Sequence, residues 1–143
     1  MTNTQDNVQQ LKEAYRLWHE TKGASVQQWL DLLADDVCFR SLAGGAPGME
    51  FTRHCGCKAE AAQYFAMMVA DWEMVHYTVE DCIAQGNRVV MLGSCAWRHR
   101  RTGKVVETPK VDVLTFNTQG KIIDFQEFYD TAKAMAASRE EPA

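Results

Sequence analysis

The sequence predicts an α+β fold, a cone-shaped barrel in which three N-terminal helices pack on a curved, mostly antiparallel sheet around a central cavity. Three observations carry that reading. In the first half of the chain, apolar residues recur at helical spacing. In the second half, Gln85-Gly86-Asn87, Thr102-Gly103 and Asn117-Thr118-Gln119-Gly120 are turn signals that separate four strand-like runs. Helices grouped before strands, rather than alternating with them, indicate α+β. The 143 residues suit one domain spanning 1–143, because no repeat or Pro/Gly/Ser linker offers a boundary.

The elements follow in order. Val8, Leu11, Tyr15 and Trp18 form an apolar stripe, widened by Ala14 and Leu17, and Gly23 ends this first helix. Ser25 is a candidate N-cap for a second helix that carries Val26, Trp29, Leu30 and Leu33 on one side. After Asp35 and Asp36, the short run Val37-Cys38-Phe39 reads as a strand. Gly44, Gly45, Pro47 and Gly48 make the segment Leu42 to Gly56 a loop. A third helix is expected from Lys58 to Ala70, burying Ala62, Phe65, Met68 and Val69. Strands then run from about Met74, the last from Lys121 to Tyr129, and a short helical or frayed tail follows, with fraying expected from about 134.

Composition narrows the function classes. The 15 Lys+Arg against 19 Asp+Glu leave no basic excess to neutralise phosphates, which argues against a nucleic-acid partner. No apolar run reaches the roughly 18–20 residues that span a bilayer, so no membrane role is expected. The polar opening MTNTQDNVQQ lacks the apolar region of a signal peptide. Together with an odd count of 5 cysteines, this points to a cytoplasmic protein with reduced thiols. Cys38, Cys82 and Cys95 are expected to be buried, and Cys55 and Cys57 exposed on their loop.

Turn geometry sets an expected register. A two-residue loop at Thr102-Gly103 places Asp112 opposite Gly93, Lys110 opposite Cys95 and Thr108 opposite Trp97. Pairing Phe116 with Lys121 places Asp112 opposite Phe125 and Lys110 opposite Glu127. Alternation then puts Met91, Cys95, Trp97, Thr108, Lys110, Asp112, Leu114, Phe125, Glu127 and Tyr129 on one face. Leu92, Ala96, Val111, Val113 and Phe128 fall on the other. Whichever face turns outward leaves apolar side chains for a second molecule to cover, and a homodimer is the simplest cover.

Ala34-Asp35-Asp36-Val37 and the stretch VDVLTFNTQGKIIDFQEFYD from Val111 to Asp130 resemble the nuclear transport factor 2-like superfamily. The resemblance is to its branch of SnoaL-like polyketide cyclases and ketosteroid isomerase-like proteins. It implies that Asp112 is the strand carboxylate that binds an oxyanion or serves as acid/base, with Tyr15 as its companion phenol. It also implies that Phe125, Glu127 and Tyr129 point inward, which selects the Asp112 face as the cavity, and that the chain dimerises. The isomerases' general-base aspartate falls at Ser41 here. A serine does not shuttle protons between carbons at neutral pH without an activating base, so steroid isomerisation by that route is disfavoured.

Asp112, Tyr15, Glu127 and His54 are therefore the candidate catalytic residues. Trp18, Phe39, Ser41, Phe65, Met91, Trp97, Leu114, Phe125 and Tyr129 are the candidate ligand-binding residues. In an apolar cavity the Asp112 carboxyl is expected to be pushed up, giving a neutral donor or a base poised near neutrality. Pairing with Lys110 is the purely structural alternative for either acid. His54-Cys55-Gly56-Cys57 is an incomplete metal pattern, so no metal is expected, and no Gly-rich phosphate loop implies a cofactor. The expected function is that of a small-molecule pocket protein. An isomerase, dehydratase or cyclase acting on an apolar carbonyl or polyketide-like compound through an enolate is favoured over a non-catalytic ligand-binding module.

Overall fold

The computed structural model describes residues 4–139. Helices α1 (Thr4–Glu20) and α2 (Val26–Leu32) lead directly into strand β1 (Leu33–Ser41). A loop with a single 3₁₀ turn at Glu50–Thr52 then reaches α3 (Lys58–Asp71). Strands β2 (Trp72–Gln85), β3 (Arg88–His99), β4 (Val105–Phe116) and β5 (Ile122–Phe128) follow, and α4 (Thr131–Ala137) closes the described chain. The sheet order is β1-β5-β4-β3-β2, with β1 parallel to β5 and every other pair antiparallel. The sheet is curved but not closed, so the expected barrel is an open half-cone.

The helices line the concave side, as their stripes predict. Leu11, Ala14, Tyr15 and Trp18 of α1 and Trp29 of α2 are buried. On α3 the buried face is Ala61, Tyr64, Phe65 and Met68, turned from the expected set so that Ala61 and Tyr64 replace Ala62 and Val69. The tail is helical over Thr131–Ala137, so its residues 134–137 do not fray. The Asp130 side chain caps it by accepting from the Lys133 backbone, and Ala134 and Ala137 are buried. Residues 140–143 of the expected tail lie outside the described range.

The register corrects the expected one by two residues at both hairpins. His99 N–H donates to Lys104 O at 2.8 Å, and Gly103 N–H donates to His99 O at 2.8 Å. The loop is therefore four residues long, with Gly103 at φ +74° supplying the left-handed step that such a turn needs. Asp112 consequently faces Met91 rather than Gly93, and Lys110 faces Gly93. On β5, Asp112 faces Glu127 and Leu114 faces Phe125. A shift of two leaves every side chain on its expected face, so the inward set survives the correction.

Strand β2 does not obey simple alternation. Its register to β3 slips between Met74 and His76 and again between Val79 and Asp81. These bulges reverse the faces over His76–Val79 and turn Tyr77 inward opposite Cys95. The strands cross so closely there that a Cβ on Gly93 would lie 2.0 Å from the Thr78 carbonyl oxygen. Only glycine fits opposite this bend.

Candidate functional site

Burying a charge is tolerated only where partners replace the lost water. Lys110, Asp112 and Glu127 all project from β4 and β5 into the concave side, with 7%, 1% and 11% of their side chains exposed. The Lys110 Nζ lies 2.5 Å from Asp112 Oδ1 and 3.0 Å from Glu127 Oε2. The two structural alternatives for the acids are thus both realised, by one lysine.

Three phenols complete the cluster. Tyr15 Oη on α1 donates to Asp112 Oδ2 at 2.6 Å, and Tyr77 Oη on β2 donates to the same oxygen at 3.1 Å. Tyr64 Oη on α3 donates to Glu127 Oε1 at 2.5 Å. Lys110 also donates to Tyr77 Oη at 3.2 Å. Each carboxylate oxygen thereby has a hydrogen-bond donor or the ammonium as its partner, and Lys110 faces three acceptor groups. Around this polar floor stand Trp18, Trp29, Phe39, Phe65, Trp72, Trp97 and Phe125, enclosing a cavity of about 90 Å³. That space holds several waters or a small ring compound.

The protonation states follow from the surroundings. Burial pushes the Tyr15, Tyr64 and Tyr77 phenols well above their ordinary range, and the neighbouring carboxylates push further. They are neutral donors. For Lys110, burial alone would lower the pKa, but the Asp112 and Glu127 charges outweigh it and hold the ammonium well above the usual lysine range. Tyr129 is pushed up to about 12, first by burial and then by Glu127. The cluster sets one ammonium between two acids, and its remaining hydrogen-bonding capacity lies in acceptor lone pairs that can receive a donor from a ligand.

The structure brings Asp112, Tyr15 and Glu127 together in one cavity, with Trp18, Phe39, Phe65, Trp97, Phe125 and Tyr129 among its lining. Met91 and Leu114 lie fully buried behind the wall and do not line it. Ser41 also stays behind, with its hydroxyl 2.6 Å from Tyr129 Oη. His54 is displaced furthest. Its imidazole is exposed in a separate small cleft beside Arg53 and Glu60, with Nε2 3.2 Å from Cys38 Sγ. Antiparallel bonds between Phe39 and Cys55 hold this loop along β1, which turns Cys55 inward and leaves Cys38 half-buried. Cys55 thereby reverses its expected exposure; Cys38 and Cys82 are half-buried where burial was expected, Cys57 is half-buried where exposure was expected, and Cys95 is buried.

Sequence reasoning missed Tyr64 and Tyr77, and it weighed Lys110 as a partner for either acid but not for both at once. Tyr64 carried a usable signal: with Ala61, Phe65 and Met68 it completes a helical stripe one residue away from the chosen one. Among the described residues, no group of three or more His, Cys, Asp or Glu is placed to hold a metal ion. No helix there is long and apolar enough to cross a membrane.

The comparisons with known proteins agree with this fold. The chain superimposes on an NTF2-like protein of unknown function from Burkholderia pseudomallei, with a TM-score of 0.80 at 22% identity, covering 96% of this chain and 98% of that one. A proposed SnoaL-like polyketide cyclase from a Jannaschia species gives a TM-score of 0.72 at 17% identity, over 95% and 94% of the two chains. TerC, co-crystallised with polyporic acid, gives 0.76 at 17% identity over 92% and 97%. At these identities the likeness establishes the fold. None of the curated proteins matches the sequence. The family model described as the SnoaL-like domain matches residues 11–125, which include Tyr15, Tyr64, Tyr77, Lys110 and Asp112. The chain belongs to the SnoaL-like domain family.

Proposed function

We propose that this protein is a cofactor-free acid/base enzyme that removes and returns a proton beside the carbonyl of a small apolar ring or polyketide-like compound. One observation carries the reading: a buried ammonium between two carboxylates, at the floor of an aromatic cavity, with its spare capacity confined to acceptor lone pairs. Glu127, the more accessible acid, takes the proton as the C–H electron pair moves into the enolate. The new oxyanion draws Lys110 and the Tyr15 phenol toward it, and Asp112 holds both in place. Reprotonation at another carbon gives isomerisation, and attack by the enolate carbon on a second carbonyl gives cyclisation. That related folds have been crystallised with polyporic acid or described as cyclases supports the substrate class.

Hydrogen–deuterium exchange at the α-carbon of fused-ring ketones, followed by NMR in heavy water, tests this without knowing the product. The wild-type protein is expected to accelerate exchange. Glu127→Gln is expected to lose at least about 100-fold of that rate, the contribution of a positioned base. Asp112→Asn, nearly isosteric, should weaken ligand binding as well. Binding without any acceleration would favour the second reading, a ligand-binding module. That reading is supported by Ser41, whose hydroxyl is committed to Tyr129 and offers no base.

The same fold presents a second surface. On the convex face Val111 pairs with Leu92 of β3 and Phe128 of β5, and Val113 lies two residues along β4; each is only half-buried, whereas Ala96, expected beside them, is buried. We infer that a second copy covers them. Analytical sedimentation at micromolar concentration should give a dimer, and a monomer would refute this assignment.

A further inference from the structure

We propose that Cys38, His54 and Arg40 form a reactive-thiol site on the outer edge of β1, open to organic hydroperoxides and small electrophiles and separate from the cavity. Strand alternation sends Val37, Phe39 and Ser41 into the core and leaves Cys38 and Arg40 facing out. The loop that follows folds back along this strand. Phe39 N–H donates to Cys55 O at 2.8 Å, and Cys55 N–H donates to Phe39 O at 2.9 Å. This two-bond clip fixes the loop's register, so that Cys55 turns inward beside Phe39 and His54 turns outward beside Cys38. The imidazole Nε2 stands 3.2 Å from Sγ.

Basic groups gather around the thiol. Arg40 shares the outward face of β1 with Cys38, and its guanidinium donates to Asp124 at 2.9 and 3.3 Å. Its buried Nε has no hydrogen-bond partner among the described residues. Asp124 is the paired neighbour of Cys38 on β5, but its charge is held by Arg40. A half-buried cysteine with an imidazole in contact and a guanidinium alongside has the surroundings in which thiols react.

The chemistry balances with a hydroperoxide as oxidant. His54 accepts the thiol proton, and the sulfur attacks the terminal oxygen of the peroxide. The S–O bond forms as the O–O bond breaks, and the departing alkoxide takes the imidazolium proton and leaves as an alcohol. Sulfur is oxidised by two electrons to a sulfenic acid, and the peroxide is reduced. With an alkylating agent the same thiolate displaces the halide instead.

Peptide-level mass spectrometry after brief exposure of the native protein to iodoacetamide, and separately to tert-butyl hydroperoxide with a sulfenic-acid trap, tests the site. Cys57 and Cys82 are similarly half-buried and serve as internal references. Cys38 is expected to react at least about ten-fold faster than either. His54→Ala, a change on an exposed loop, should bring it down to their rate. If Cys38 reacts no faster than Cys57 and Cys82, or if His54→Ala leaves its rate unchanged or raises it, the site as described does not exist.

Discussion

Replacing Lys110 by methionine is expected to cost about 3–5 kcal/mol of stability, the penalty for stranding a buried charge by removing its partner. Methionine fills much of the lysine's volume, so the loss does not come from a cavity. It comes from Asp112 and Glu127, which face each other across β4 and β5 and would be left in an aromatic enclosure with no cation between them. The phenols of Tyr15, Tyr64 and Tyr77 still donate to them, but hydrogen bonds do not cancel the repulsion of two charges. Removing one charge of the pair should therefore recover part of the loss, so Lys110→Met combined with Glu127→Gln is expected to be more stable than Lys110→Met alone. Denaturant melts of wild type and both variants would measure this. An equal deficit in both variants would mean that packing rather than charge is responsible.

The second large effect lies at high pH. An unfolded tyrosine ionises near pH 10, whereas Tyr15, Tyr64 and Tyr77 are held well above that by burial and then by the acids beside them. A raised folded pKa contributes stability that is fully present below the unfolded value and disappears as pH climbs toward the folded one. Each such phenol withdraws about 1.4 kcal/mol per pH unit above roughly pH 10, so the three together withdraw about 4 kcal/mol per unit. Lys110, also raised, adds to the same loss above roughly pH 10.5. Against a total of about 5–15 kcal/mol, the fold should collapse within one to three pH units. Phenolate absorbance from these residues is expected to appear together with the loss of the far-ultraviolet circular dichroism signal, as one cooperative step. Smooth titration of all the tyrosines near pH 10 in a still-folded protein would contradict the buried cluster.

Much of this arrangement is legible in the chain. Helical stripes place Tyr15 and Trp18, turn residues delimit the strands, and parity puts Lys110, Asp112 and Glu127 on one face. Parity is robust because errors in loop length that amount to two residues do not change a face. Which acid meets the lysine depends on those two residues, and the four-residue loop at 100–103 was not visible in Thr102-Gly103. Tyr77 was hidden for a different reason. A regular hairpin through Gly86-Asn87 would set it opposite Ala96 on the convex face, and only a bulge turns it in. Bulges answer to the crowding between strands, which a one-dimensional pattern does not record. His54 likewise depends on a loop clipped to β1 through backbone bonds, for which side-chain identity carries no signal.

The ion cluster takes its members from α1, α3, β2, β4 and β5, and Tyr15 and Asp112 are separated by 97 residues. In an incompletely assembled chain, water solvates these groups and their charges cost nothing. Once the walls close, a partial retreat becomes expensive: lifting α1 alone removes the Tyr15 donor from a carboxylate that is still dry, and lifting α3 does the same to Glu127. Small local openings are thus penalised, while complete opening returns every group to water. The cluster makes the unfolding of the helical layer and the sheet a single event. Amide protons in α1, α3 and central β4 should consequently exchange through the same global opening, although they belong to different layers of the fold.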